Sequence, residues 1–117
     1  MDDNCIFCRI VSGDIPTDFV HQDEHVVVFR DIQPQAPVHL LVVPRQHIEA
    51  LVDLEEGHGE VAGRALVTAA AVARAQPQLA DGFRLIVNSG PAGGQTVPHL
   101  HLHLLGGRSF SEGMLRE

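Results

Sequence analysis

The sequence predicts an α+β domain: an antiparallel sheet of about five strands, one main helix and a short second helix, with the helices on one sheet face. Two observations carry that expectation. Short apolar segments bounded by turn residues recur along the chain, and a single alanine-rich stretch of helical periodicity separates pairs of them. The 117 residues suffice for one hydrophobic core and are too few for two. Residues 1–117 are therefore expected to form a single domain, with 109–117 a loosely held tail.

Taken in order, "IPTDFVHQDE" (15–24) supplies a short strand around Phe19 to His21. "HVVVFRDI" (25–32) and "HLLVVP" (39–44) follow, separated by "DIQPQAPVH", whose two prolines make a rigid loop. "QHIEALVDL" (46–54) is the candidate for the short helix. "HGEVAGRALVTAAAVARAQ" (58–76) places apolar residues at Val61, Ala65, Leu66, Ala69, Val72 and Ala73 and stops before Pro77, as an amphipathic helix does. "FRLIVN" (83–88) and "HLHLHLL" (99–105) complete the sheet. A sheet of this kind leaves an edge and a face in need of cover, which a homodimer would supply.

Composition narrows the function classes. With 44% hydrophobic and 20% charged residues the chain reads as soluble and globular. No apolar run approaches the ~20 residues of a membrane span, and the acidic start lacks the parts of a signal peptide, so no membrane partner and a cytoplasmic location are expected. Fifteen acidic residues against eight basic ones, all arginine, give a net charge of -7, which argues against a nucleic-acid partner. One small phosphate ligand remains compatible with that charge, because backbone N–H groups can bind it locally.

The chemistry concentrates in "PHLHLHLLGG" (98–107). Residues two apart on a strand project from one face, about 6.6 Å apart. His99, His101 and His103 would share a face while Leu100, Leu102 and Leu104 pack beneath the helices. Such a row reads as a polar strand, as a metal site, or as catalysis by imidazole, whose unperturbed pKa near 6.5 allows one neutral ring to attack while a neighbour stays protonated against an anion. "NSGPAGGQTVP" (88–98), directly before it, brings Asn88, Gly93, Gly94 and the Thr96 hydroxyl, a composition suited to a phosphate nest. "CIFC" offers Cys5 and Cys8, which in a reducing compartment read as half of a zinc site more readily than as a disulfide, and equally as two ordinary thiols until two further ligands are found.

These segments together resemble the histidine-triad family. "HLHLHLL" is similar to its His-φ-His-φ-His-φ-φ signature, with φ apolar. "CIFCRIVSGDIP", "FRDIQPQAPVHLLVVPRQHI" and "NSGPAGGQTVPHLHLHLLGGR" are similar to segments of its branch of small nucleotide-binding proteins. The resemblance implies the histidine-triad fold and hydrolysis of purine nucleoside phosphoramidates or acyl-adenylates, with His101 as nucleophile and a nucleotidyl-histidine intermediate. It implies that His103 and His39 stabilise charge on the phosphate oxygens, and that Thr96, where many members carry serine, helps protonate the departing amine. Asn88 and Gly94 would contact the phosphate or the scissile bridge, Asp31 both ribose hydroxyls, and Ile15, Phe29 and Ile32 the base. Phe29 and Ile32 read equally as ordinary core.

For zinc, the resemblance implies a structural site of Cys5, Cys8, His47 and His99. Magnesium is not expected in the reaction, since no clustered carboxylates accompany the histidine strand. A dinucleoside polyphosphate hydrolase of the same family, a nucleotide-binding interaction module with vestigial catalysis, and a metallohydrolase using the three histidines as ligands are the competing readings. Members of the branch often continue after "GGR" into a tryptophan-containing segment. This chain reads "SFSEGMLRE", with Phe110 its only aromatic residue there.

Overall fold

Valine-rich strands form the middle of the sheet. In the computed structural model, which describes residues 4–112, strands β1 (Phe19–Gln22), β2 (Val26–Arg30), β3 (Val38–Pro44), β4 (Arg84–Ile86) and β5 (Leu102–Gly106) make one sheet. Its order is β1-β2-β3-β5-β4, with every pairing antiparallel. β3 is buried along its whole length and β2 along all but its last residue, which is why both read as nearly unbroken apolar runs instead of an alternating pattern.

The pleat sorts residues by parity. Val26, Val28, Leu40, Val42, Leu102 and Leu104 pack against Ala65, Ala69, Val72 and Ala73 of helix α2 (Gly59–Arg74). Val27, Phe29, Leu41 and Val43 project from the other face and meet Phe7, Cys8 and Ile10 of helix α1 (Ile6–Ser12). The helices therefore cover opposite faces, not one, and this corrects the layer arrangement expected from sequence. The short second helix also lies elsewhere than expected. Residues 46–54 hold only a single 3-10 turn at Leu51–Asp53, because the Ile48 carbonyl is taken by the Leu100 N–H at 2.6 Å and the chain there runs alongside the histidine segment.

Helix α1 is set by its ends. Cys5, in extended backbone at the N-cap, accepts the Cys8 N–H on its Sγ at 3.3 Å. Gly13, at φ 90°, closes the other end by donating its N–H to the Ile10 carbonyl.

β5 begins three residues later than the apolar alternation suggested. Continuing the β3–β5 register past Val42–Leu102 would set Leu100 against Pro44, which has no N–H to donate. His99 and His101 accordingly precede the ladder, and only His103 lies within it. Of the expected loose tail, residues 113–117 fall outside the described part. Before them, the guanidinium carbons of Arg84 and Arg108 lie 4.4 and 4.7 Å from the Phe110 ring centroid, and Arg84 Nη2 donates to the Ser111 carbonyl at 2.7 Å. Among the described residues no helix is long and apolar enough to cross a membrane.

Candidate active site and metal centre

A cleft of about 720 Å³ opens on the α1 face of the sheet. Ile6, Phe7, Ile10 and Ile15 from the N-terminal segment form one wall, and Phe29, Asp31 and Ile32 at the end of β2 form another. His39, Thr96, His101 and His103 complete it. The fold thus gathers from four separated segments most of the residues singled out in the sequence. Asn88 and Gly94 are not among the lining residues. They sit together in the preceding loop, where Asn88 Nδ2 donates to the Gly93 carbonyl at 2.8 Å and Gly94 takes the left-handed φ of 89°.

His101 and His103 are neighbours, with ring centroids 5.0 Å apart. His101 is buried, and its Nδ1 lies 2.7 Å from the His99 carbonyl oxygen. A carbonyl only accepts, so Nδ1 carries the proton and the Nε2 of the neutral ring keeps its lone pair. Phe7 meets this imidazole edge-on, centroids 5.0 Å apart, and walls it on one side.

His103 and His39 are joined by a 2.9 Å contact between His103 Nδ1 and His39 Nε2. Burial, followed by the neighbouring His101 and His39, pushes His103 down to about 4 against the partial opposition of Asp31. Burial likewise lowers His39. Both shifts favour the neutral form of the ring over the protonated one. Asp31 accepts the Gln33 N–H on Oδ1 at 2.8 Å, and its Oδ2 lies 3.4 Å from His39 Nε2. One carboxylate, Asp31 in the segment directly after β2, thus stands beside the His39–His103 pair.

His99 turns away from this pair. It is fully buried, and its Nε2 donates to the Pro44 carbonyl at 2.8 Å, which leaves a lone pair on Nδ1. That atom lies 3.3 Å from Cys5 Sγ, 3.6 Å from Cys8 Sγ and 3.2 Å from His47 Nδ1. Cys8 Sγ and His47 Nδ1 are 3.2 Å apart. Tetrahedral zinc with two thiolates and two imidazoles sets its donors about 3.3–3.8 Å from one another, so the four residues fit the ion. Burial pushes the Cys5 thiol up and holds His99 neutral. A cation would offset the first effect and needs the second. His99 thus stands with Cys5, Cys8 and His47, the set the resemblance implies for zinc, while His101 and His103 line the cleft.

Three contributors escaped the sequence reading. Phe7 touches Phe29, His99 and His101 at centroid distances of 5.7, 5.9 and 5.0 Å, and only the apolar spacing of Ile6, Phe7 and Ile10 hinted at it. Gln95 clamps the glycine loop: its Oε1 accepts the Gly90 N–H at 2.8 Å and its Nε2 donates to the Glu49 and Val97 carbonyls at 2.6 and 2.9 Å. The Gln35 N–H lies 3.0 Å from His39 Nδ1, a main-chain role that residue type cannot announce.

Comparison with known proteins agrees with this geometry. The HIT domain matches residues 12–110. A purine nucleoside phosphoramidase of Escherichia coli K12 is 44% identical over 108 residues, covering 92% of this chain and 91% of that one. A 14 kDa zinc-binding protein of Brassica juncea is 46% identical over 108 residues, covering 91% and 95%. The crystal structure of a HIT family hydrolase from Legionella pneumophila superposes with a TM-score of 0.90 at 43% identity, covering 93% of this chain and 97% of that one. With the triad, its cleft and the length of the match in agreement, the chain belongs to the histidine-triad (HIT) family.

Proposed function

We propose that the protein binds a purine nucleoside monophosphate unit in the cleft and hydrolyses nucleoside phosphoramidates or acyl-adenylates through a nucleotidyl-histidine intermediate on His101. The observation that carries this reading is the 2.7 Å contact from His101 Nδ1 to the His99 carbonyl, which leaves Nε2 as a nucleophile inside a cleft with apolar walls and a carboxylate. Nε2 attacks the α-phosphorus, the bond to the leaving amine or carboxylate breaks, and water then cleaves the P–N bond to His101. The departing amine takes up a proton, which the Thr96 hydroxyl is placed to help deliver. His103 meets the phosphate oxygens and His39 acts behind it, while Asn88 and Gly94 serve the phosphate side from the loop. Asp31 accepts from both ribose hydroxyls, and Ile15, Phe29 and Ile32 hold the base. The name of the E. coli relative supports the purine and the phosphoramidate.

Cys5, Cys8, His47 and His99 hold a structural zinc ion, which when bound cross-links α1 to the segments before and after the sheet's centre. The reaction itself needs no Mg²⁺. Residues 1–117 act as one domain, in the cytoplasm and as a homodimer that covers the short edge strand β4 and the exposed Leu66 and Val67 of α2. The test is a panel of nucleoside phosphoramidates, acyl-adenylates and dinucleoside polyphosphates run against wild type and His101→Ala, with acid-quenched protein weighed by mass spectrometry. Wild type is expected to turn over the first two classes faster than the third and to show a nucleotidyl adduct on His101. Turnover by His101→Ala at the wild-type rate would reject the mechanism.

A further inference from the structure

The Gln35 N–H lies 3.0 Å from His39 Nδ1, and His39 Nε2 lies 2.9 Å from His103 Nδ1. A backbone amide can only donate. Nδ1 of His39 must therefore offer its lone pair, and the neutral ring carries its proton on Nε2. The acceptors for that proton are His103 Nδ1 and, at 3.4 Å, Asp31 Oδ2. Because His103 accepts on Nδ1, its own proton sits on Nε2. His39 is 6% exposed, so water has little room to replace the Gln35 N–H at its Nδ1, while His103 faces the cleft beside His101.

We infer that the Gln35 backbone amide is a positioning group which, acting through His39, makes His103 present an N–H rather than a lone pair to a ligand in the cleft. Reversing the chain shows the consequence. With its proton on Nδ1, His39 would face the Gln35 N–H donor to donor. His103 would then donate from Nδ1 and turn the lone pair of Nε2 toward the anionic oxygens of a phosphate. As built, two imidazoles two residues apart are held in opposite tautomers by two main-chain groups, the His99 carbonyl and the Gln35 amide. One ring offers a lone pair and its neighbour a donor, the pairing that attack on a phosphorus bearing charged oxygens requires. Pro34 and Pro37 bracket Gln35, and by fixing φ on either side they hold the amide in place against the ring.

The inference rests on the phosphoryl-transfer reading for its purpose, while its structural content is testable without turnover. In the zinc-loaded full chain, imidazole ¹⁵N shifts from two-bond ¹H–¹⁵N correlation spectra report each tautomer. His39 and His103 are expected as the Nε2–H form and His101 as the Nδ1–H form. Replacing the residue 35 amide by an ester deletes only the N–H. That change should shift His39 and His103 toward the Nδ1–H form, leave His101 as it was, and lower kcat about 10- to 100-fold with KM changed less than about 3-fold. Gln35→Pro is a second way to remove the donor. An Nδ1–H form for His39 in wild type, unchanged tautomers in the ester protein, or shifted tautomers with full kcat would each overturn the inference. Absence of phosphoramidate turnover by wild type, with the tautomers as stated, would instead strike the proposed function.

Discussion

The carbonyl oxygen of His99 lies 2.7 Å from Nδ1 of His101, and through this contact the candidate metal centre and the candidate nucleophile share one residue. The His99 side chain faces two cysteines while its main chain fixes the tautomer of the His101 ring, the candidate nucleophile. A change at the cysteines therefore reaches His101 through the placement of this carbonyl and through Phe7, which lies between Cys5 and Cys8 and meets the His101 ring edge-on. That carbonyl is also held from outside the cluster, since the following Leu100 N–H is bonded to Ile48.

It follows that losing the metal should cost stability more than chemistry. Cys5→Ser leaves three donors and a buried, weaker fourth. Zinc content by elemental analysis is expected to fall from about one per chain toward zero, and Tm to drop by about 5 °C or more, while the His101 adduct still forms. A Cys5→Ser protein that keeps its full zinc would place the ion at another cluster, of which Asp31, His39 and His103 is the available one among the described residues.

That second cluster bears on whether the reaction uses a divalent cation. A metal on His39 Nε2 would require the ring proton on Nδ1, against the Gln35 N–H at 3.0 Å, so the donor set is complete in number and wrong in protonation. Turnover of an adenosine phosphoramidate in excess EDTA, after zinc content is fixed, should stay within about twofold of the untreated rate. A loss that Mg²⁺ restores would contradict this.

Phe29 and Ile32 read alike in sequence, as core or as base contacts, and the structure separates them. Phe29 is 5% exposed and stacks edge-on with Phe7 and Phe19, whereas Ile32 is 95% exposed at the rim of the cleft. Phe29→Ala should destabilise by about 3–5 kcal/mol in urea unfolding, and Ile32→Ala by less than about 0.5 kcal/mol. Ile32→Ala should nonetheless weaken nucleoside monophosphate binding by about 3- to 10-fold, read by calorimetry. Unchanged affinity would remove Ile32 from the base site.

The contrast shows where sequence reasoning stops. Patterns set by the chain's own period were legible: the apolar strands, the alanine-rich helix, and the parity that sends Leu102 and Leu104 to one face and His103 to the other. What depends on two segments meeting was not. Pro44 ends the β5 ladder from across the sheet, so the register argument overran by three residues. Helix α1 lies on the histidine face because Phe7, Cys8 and Ile10 find Val27, Phe29 and Leu41 there, a match no local window contains. Main-chain donors such as the Gln35 amide carry no residue signature at all. The grouping of Cys5 and Cys8 with His47 and His99, and of His39 with His103, came from the resemblance, which supplies long-range pairing that spacing alone cannot.

Acid stability offers a test of the neutral histidine pair. His103 has its pKa near 4 in the folded protein against an ordinary 6.5, chiefly from burial, and His39 is shifted the same way. Between those two values the unfolded chain binds more protons than the folded one, so unfolding becomes easier as pH falls. The contribution is whole above pH 6.5, drains through the interval, and is gone below about pH 4. For His103 it amounts to about 1–3 kcal/mol. Urea unfolding of wild type and His103→Asn at matched zinc content should give curves of stability against pH that run parallel above pH 6.5 and converge below it, since only wild type still has this proton to take up on unfolding. Zinc release on acidification affects both proteins and cancels in the difference. Curves that stay parallel down to pH 4 would mean that His103 titrates in the folded state as it does in the unfolded chain, and would remove burial as a control on its protonation.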